Sequence, residues 1–64
     1  MYAIKIKNQK FYLKSFVNGD ADRPTWTSKK AEIKKFNSEE DVNTVFFALN
    51  KCSEVDWNIK IVKV

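Results

Sequence analysis

Tyr2-Ala3-Ile4-Lys5-Ile6-Lys7-Asn8-Gln9-Lys10-Phe11-Tyr12-Leu13-Lys14-Ser15-Phe16-Val17 is the stretch on which the fold turns. Tyr2, Ile4 and Ile6 alternate with Ala3, Lys5 and Lys7, the period of a strand with one buried face. A second alternation runs from Phe11 to Val17. Asn8-Gln9 between them reads as a tight turn, although it lacks the usual Gly. With a two-residue loop, Ile6 faces Phe11, Ile4 faces Leu13 and Tyr2 faces Ser15, and directly opposed residues share a sheet face. The hairpin is therefore expected to place Tyr2, Ile4, Ile6, Phe11, Leu13 and Val17 on one face. Ala3, Lys5, Lys7, Tyr12, Lys14 and Phe16 take the other. The apolar patterns of both strands agree on this register.

Outward from the hairpin, Asn18-Gly19-Asp20 is a turn that Asp20 to Pro24 extends into a loop. A third strand is expected within 25–36, bent or bulged, because apolar parity changes between Ile33 and Phe36; a short helix over 29–35 competes with it. Ser38 is a helix N-cap, followed by Glu39, Glu40 and Asp41 in the first turn, where carboxylates complement the helix dipole. Ser38 and Asp41 have capping-box spacing. Val42, Val45, Phe46 and Leu49 then recur at i, i+3, i+4 and i+7 as one apolar stripe. From Val55 to Val64 a last strand alternates, with Val55, Trp57, Ile59 and Ile61 on one face.

The expected fold is α+β: a small, mostly antiparallel sheet of three or four strands with one helix on one face, in the order β-β-(β)-α-β. The buried layer is expected to hold Tyr2, Ile4, Ile6, Phe11, Leu13, Trp57, Ile59 and Ile61 against the helix stripe. The last strand is expected to pair with the first.

Sixty-four residues make one domain, near the lower limit for a self-sufficient core. A single Cys and no His exclude an internal disulfide and a Cys/His zinc site. General acid–base chemistry near neutral pH most often uses His. A nucleophilic Cys needs a neighbour that lowers its pKa, and Cys52 reads as a small apolar residue at a helix end. Glu39, Glu40 and Asp41 are explained by capping, and one Gly cannot build a phosphate loop. The D-x-D fragment Asp20-Ala21-Asp22 is too short for a calcium loop. No enzyme activity, metal or cofactor is expected. The longest apolar run, Val45 to Leu49, is far short of a membrane span. Lysines interrupt the N-terminal apolar stretch, so no signal peptide is expected, and a cytoplasmic location follows.

Charge is uneven. Residues 1–35 carry nine Lys/Arg against three Asp/Glu, and residues 36–64 carry three Lys against five Asp/Glu. Eleven of the twelve cations are lysine, which disfavours bidentate reading of bases. The face bearing Lys5, Lys7, Tyr12, Lys14 and Phe16 interleaves cations with rings, as a single-strand nucleic-acid platform does. The bland alternative is a solvated outer face whose lysine stems cover two rings. At about 100° per residue, Phe47 points about 150° away from the helix stripe, toward Asn43, Thr44 and Lys51. A ring there marks either burial elsewhere or a contact with a partner or a second copy.

The opening Tyr2-Ala3-Ile4-Lys5-Ile6-Lys7, the Phe11-Tyr12-Leu13-Lys14 strand, the Trp26 segment and Lys35-Phe36-Asn37-Ser38-Glu39-Glu40-Asp41-Val42 resemble small uncharacterised proteins of phages and prophages in low-GC bacteria. In these a hairpin and a Trp strand precede a K-F-x-S-x-E-x-A/V helix and a closing Val/Ile strand. Val42 stands where the small Ala is expected. The eleven Lys, six Asn and five Ile fit an AT-rich coding source. The resemblance implies a host-takeover or anti-defence factor that binds and inhibits a host protein. Three functional expectations follow: a binder of a host protein, a binder of single-stranded nucleic acid, and a self-assembling subunit.

Overall fold

The computed structural model describes residues 1–20, 23–52 and 57–64. Its strands are β1 (Tyr2–Ile6), β2 (Tyr12–Phe16), β3 (Pro24–Thr27) and β4 (Ile59–Lys63), and its helix is α1 (Glu39–Cys52). The four strands form one antiparallel sheet in the order β3-β2-β1-β4, and α1 packs on β1 and β4. The fold is α+β. Ala21, Asp22 and Val55 lie outside the described residues, as does the side chain of Cys52, so the D-x-D fragment and the first residue of the expected last strand do too.

The hairpin register is the expected one. Lys5 is opposite Tyr12, and Ile6 N–H donates to the Phe11 carbonyl at 2.9 Å. Asn8 supplies the left-handed residue of the turn, at φ 62°, which Asn tolerates better than most side chains. β4 pairs with β1 from Tyr2↔Lys63 to Ile6↔Ile59. Ser38 caps α1, its hydroxyl accepting from Asp41 N–H at 3.2 Å. The helix phase also agrees: Val42 and Leu49 are fully buried, Val45 and Phe46 pack against the core, and Phe47 is 61% exposed. Val42 and Leu49 make the core with Ile4, Leu13, Phe36 and Ile59.

Three expectations about the hairpin faces change, one before Leu13 and two after it. Phe16 packs against the core instead of facing outward, while Phe11 and Val17 are exposed. The cause for Phe16 and Val17 is a β-bulge. Leu13 pairs with Trp26 and Ser15 with Thr25, so β2 has one residue more than β3 between these pairs. A bulge shifts side-chain parity by one position and bends the strand. Ser15 and Thr25 then meet on the outer side, their hydroxyls 2.9 Å apart, and Phe16 turns inward. Phe11 keeps its register but sits beyond the cover that α1 gives to β1 and β4.

The bend also opens the hairpin. Leu13 carbonyl accepts from Lys34 N–H at 2.9 Å. Tyr2 and Phe36 exchange two backbone bonds, at 2.9 and 2.8 Å. Residues 34–36 are thus wedged between the open ends of β1 and β2. The expected third strand is therefore split into β3, a 3-10 turn at Lys30–Glu32 and a single bridge at Phe36. Beside the helix, the rings of Trp26 and Trp57, 5.6 Å apart, extend the apolar layer toward β3.

Truncating a fully buried aliphatic residue costs about 2–5 kcal/mol, so Ile4→Ala is expected to lower the unfolding free energy by that amount in urea melts. The same melts test the bulge. Phe16→Ala is expected to cost more than about 1 kcal/mol, the scale of partial apolar burial, and Phe11→Ala clearly less. The reverse order would mean that β2 has no bulge.

Candidate functional site

The sheet face away from α1 carries the chemistry. Cross-strand pairing sets Thr27, Tyr12, Lys5 and Lys60 in one row across β3, β2, β1 and β4. Lys5 and Lys60 are directly opposed, and like charges so placed repel. Next to this row, Ala3 is fully buried although it points away from the helix, so this face is not bare sheet.

Residues 28–33 cross on that side before residues 34–36 enter the sheet. Thr27 Oγ1 donates to Glu32 Oε2 at 3.2 Å and accepts from Lys29 N–H at 3.1 Å, which ties the crossing to β3. Tyr12, Lys30, Ile33, Lys35 and Val64 line an open cleft of about 370 Å³. The parity change between Ile33 and Phe36 now has a cause: Ile33 lines the cleft and Phe36 enters the core.

Of the residues expected to form a lysine–aromatic platform, Lys5 and Tyr12 remain together, half-buried side by side. Lys7 is exposed just past the end of β1. Lys14 is ion-paired with Glu32 at 3.4 Å, an exposed contact of the kind worth at most about 1 kcal/mol. Phe16 has left the face for the core, and Phe47 lies on α1, apart from it. Lys30, Ile33, Lys35, Lys60 and Val64 were missed by sequence reasoning. The signal for Lys60 was its place in the last alternation; for Ile33 it was the parity break, and Lys30 and Lys35 flank it.

Among the described residues no group of three His, Cys, Asp or Glu side chains could hold a metal ion. No helix among them is long and apolar enough to cross a membrane. No protein-family model matches this chain, and neither a curated protein nor a solved structure matches it.

Where α1 begins, the Tyr2 hydroxyl donates to Glu39 Oε1 at 3.1 Å. This bond, with some desolvation and the carboxylate's charge, holds the Tyr2 phenol above its ordinary value of 10.0. A raised value favours the neutral phenol in the folded state, so its stabilising contribution is present below the unfolded-state value and is lost as pH rises through the folded-state one. Glu39→Gln is expected to bring the Tyr2 titration back toward the ordinary value, read from the ring Cζ resonance in an alkaline NMR titration. An unchanged midpoint would mean that the bond does not form in solution.

Proposed function

We propose that this chain is a small non-catalytic binding protein that holds single-stranded nucleic acid against the lysine-bearing face of its sheet. The observation that carries the reading is the row Tyr12, Lys5 and Lys60, where two lysines paired across the strands have no ion-pair partner among the described residues. Opposed like charges cost stability in the free protein, and phosphates would relieve that cost. A backbone-tracking lysine surface with a ring beside it suits binding without base-edge reading. Affinity for an oligothymidylate, measured by anisotropy, is expected to fall steeply with salt, with a log–log slope of about −0.7 per phosphate contacted. Lys5→Gln/Lys60→Gln is expected to flatten that slope by about 1.4. Salt-independent binding, or none at micromolar protein in low salt, would remove the reading.

A protein partner is the second reading, and Phe47 favours it. The helix stripe of Val42, Val45, Phe46 and Leu49 is already seated on the core, which leaves Phe47 61% exposed and outside the core cluster. The resemblance to phage accessory proteins suggests the partner class, a host protein in the host cytoplasm whose surface is occluded. Phe47→Ser is expected to leave the monomer's melting temperature nearly unchanged. It is also expected to weaken capture of that partner, or self-association seen by light scattering, by more than about 1 kcal/mol. Phe46→Ser is expected to destabilise the fold by burying a hydroxyl and opening a cavity. Equal binding by Phe47→Ser and the parent would rule out the helix as the contact surface.

A further inference from the structure

We infer that the cleft at Tyr12 seats one nucleotide unit, its base against the Tyr12 ring and its phosphate on Lys30 and Lys35. The inference rests on the nucleic-acid reading and deepens it from a charged face to a defined recess. The wall chemistry carries it. Tyr12 offers a ring, Ile33 and Val64 offer aliphatic surface, and Lys30 and Lys35 offer two ammonium groups. A ligand with a flat apolar part and an adjoining anion satisfies both kinds of wall. An acidic peptide would leave the ring and aliphatic walls uncovered, and an apolar ligand would leave the cations without a partner. The volume, about 370 Å³, lies at the low end of the ~300–1,000 Å³ typical of small-ligand sites.

The cleft is held from both sides. Tyr12 sits within β2, flanked by Lys5 and Thr27. On the crossing segment the residues that line the cleft adjoin ones that are tied down: Glu32 bonds Thr27, Lys34 N–H bonds Leu13, and Phe36 bridges Tyr2. Such anchoring reduces the ordering cost of binding. Glu32 is the only carboxylate in residues 23–36, and Lys14 neutralises it at 3.4 Å. Lys30 and Lys35 have no ion-pair partner among the described residues. Lysine holds phosphate as a point charge, so the site would tolerate any base.

The test is an NMR titration of the labelled protein with thymidine monophosphate, inorganic phosphate and an oligothymidylate, beside anisotropy on variants whose melts match the parent's. The mononucleotide is expected to move the amides of Tyr12, Lys30, Ile33 and Lys35, and phosphate alone to move them far less. Lys30→Gln/Lys35→Gln is expected to weaken oligonucleotide binding about tenfold and to flatten the salt slope by about 0.7, the share of the one phosphate the pair holds. The charge-matched Lys51→Gln/Lys63→Gln is expected to do neither. Tyr12→Leu keeps apolar volume in the strand and is expected to weaken binding about tenfold at an unchanged salt slope. Mononucleotide binding as tight as the strand's would assign a free nucleotide as the source, and much tighter strand binding a nucleic acid. Equal losses from the two lysine pairs would overturn the cleft and leave only general charge attraction. Equally effective competition by oligoglutamate would overturn it in favour of an acidic protein surface. No oligonucleotide binding by the parent protein would remove the cleft and the wider reading together.

Discussion

The carbonyl of Leu13 accepts its hydrogen bond from Lys34 rather than from β1, and much of the molecule's shape follows from that exchange. A two-stranded hairpin would ordinarily zip to its open end. Here the bulge in β2 bends the strand away, and residues 34–36 supply the backbone partners that β1 and β2 no longer give each other. Buried backbone groups must be paired, so bulge and wedge depend on each other. The wedge delivers Phe36 to the core on one side of the sheet and carries Ile33 and Lys35 past the other. Without it there would be a flat lysine-studded face and no cleft.

What the sequence made legible was local or periodic. Ser38 and the three acids after it marked the start of the helix, and the spacing of Val42, Val45, Phe46 and Leu49 set its rotation well enough to place Phe47 outside. Two alternating runs fixed the hairpin register through Lys5 and Tyr12. The bulge was not legible, because Lys14 and Ser15 carry no special backbone signal; its result is that Phe16, and not Val17, turns inward. The parity break between Ile33 and Phe36 was visible, but its meaning required a bond to Leu13, twenty-one positions earlier than Lys34. The Lys14–Glu32 pair was hidden for the same reason. The candidate site was half legible: Lys5 and Tyr12 came from alternation, whereas Lys30, Ile33, Lys35 and Val64 came together only through the crossing.

The charge asymmetry of the chain acquires a location. Lys30 and Lys35 of the basic half are carried onto the sheet face that already holds Lys5, and Lys60 joins from β4. Glu39, Glu40 and Asp41 stand at the start of α1, where they complement the helix dipole, and Glu39 accepts from the Tyr2 hydroxyl. These three acids are thus held at the helix, while on the outer sheet face Glu32 is paired with Lys14, and Lys5, Lys30, Lys35 and Lys60 have no ion-pair partner among the described residues.

The pairing of β1 with β4 joins Tyr2 to Lys63 and Met1 to Val64, nearly the full length of the chain. Contacts of that span are formed late, because loop closure must precede any gain from pairing. A growing polypeptide would hold β1 with one edge unfilled until the last strand emerged. During that interval Lys5 and Lys7 serve a purpose separate from any ligand: charged side chains along an unpaired edge discourage one nascent strand from joining another. The lysines that crowd the finished sheet also protect it while it is incomplete.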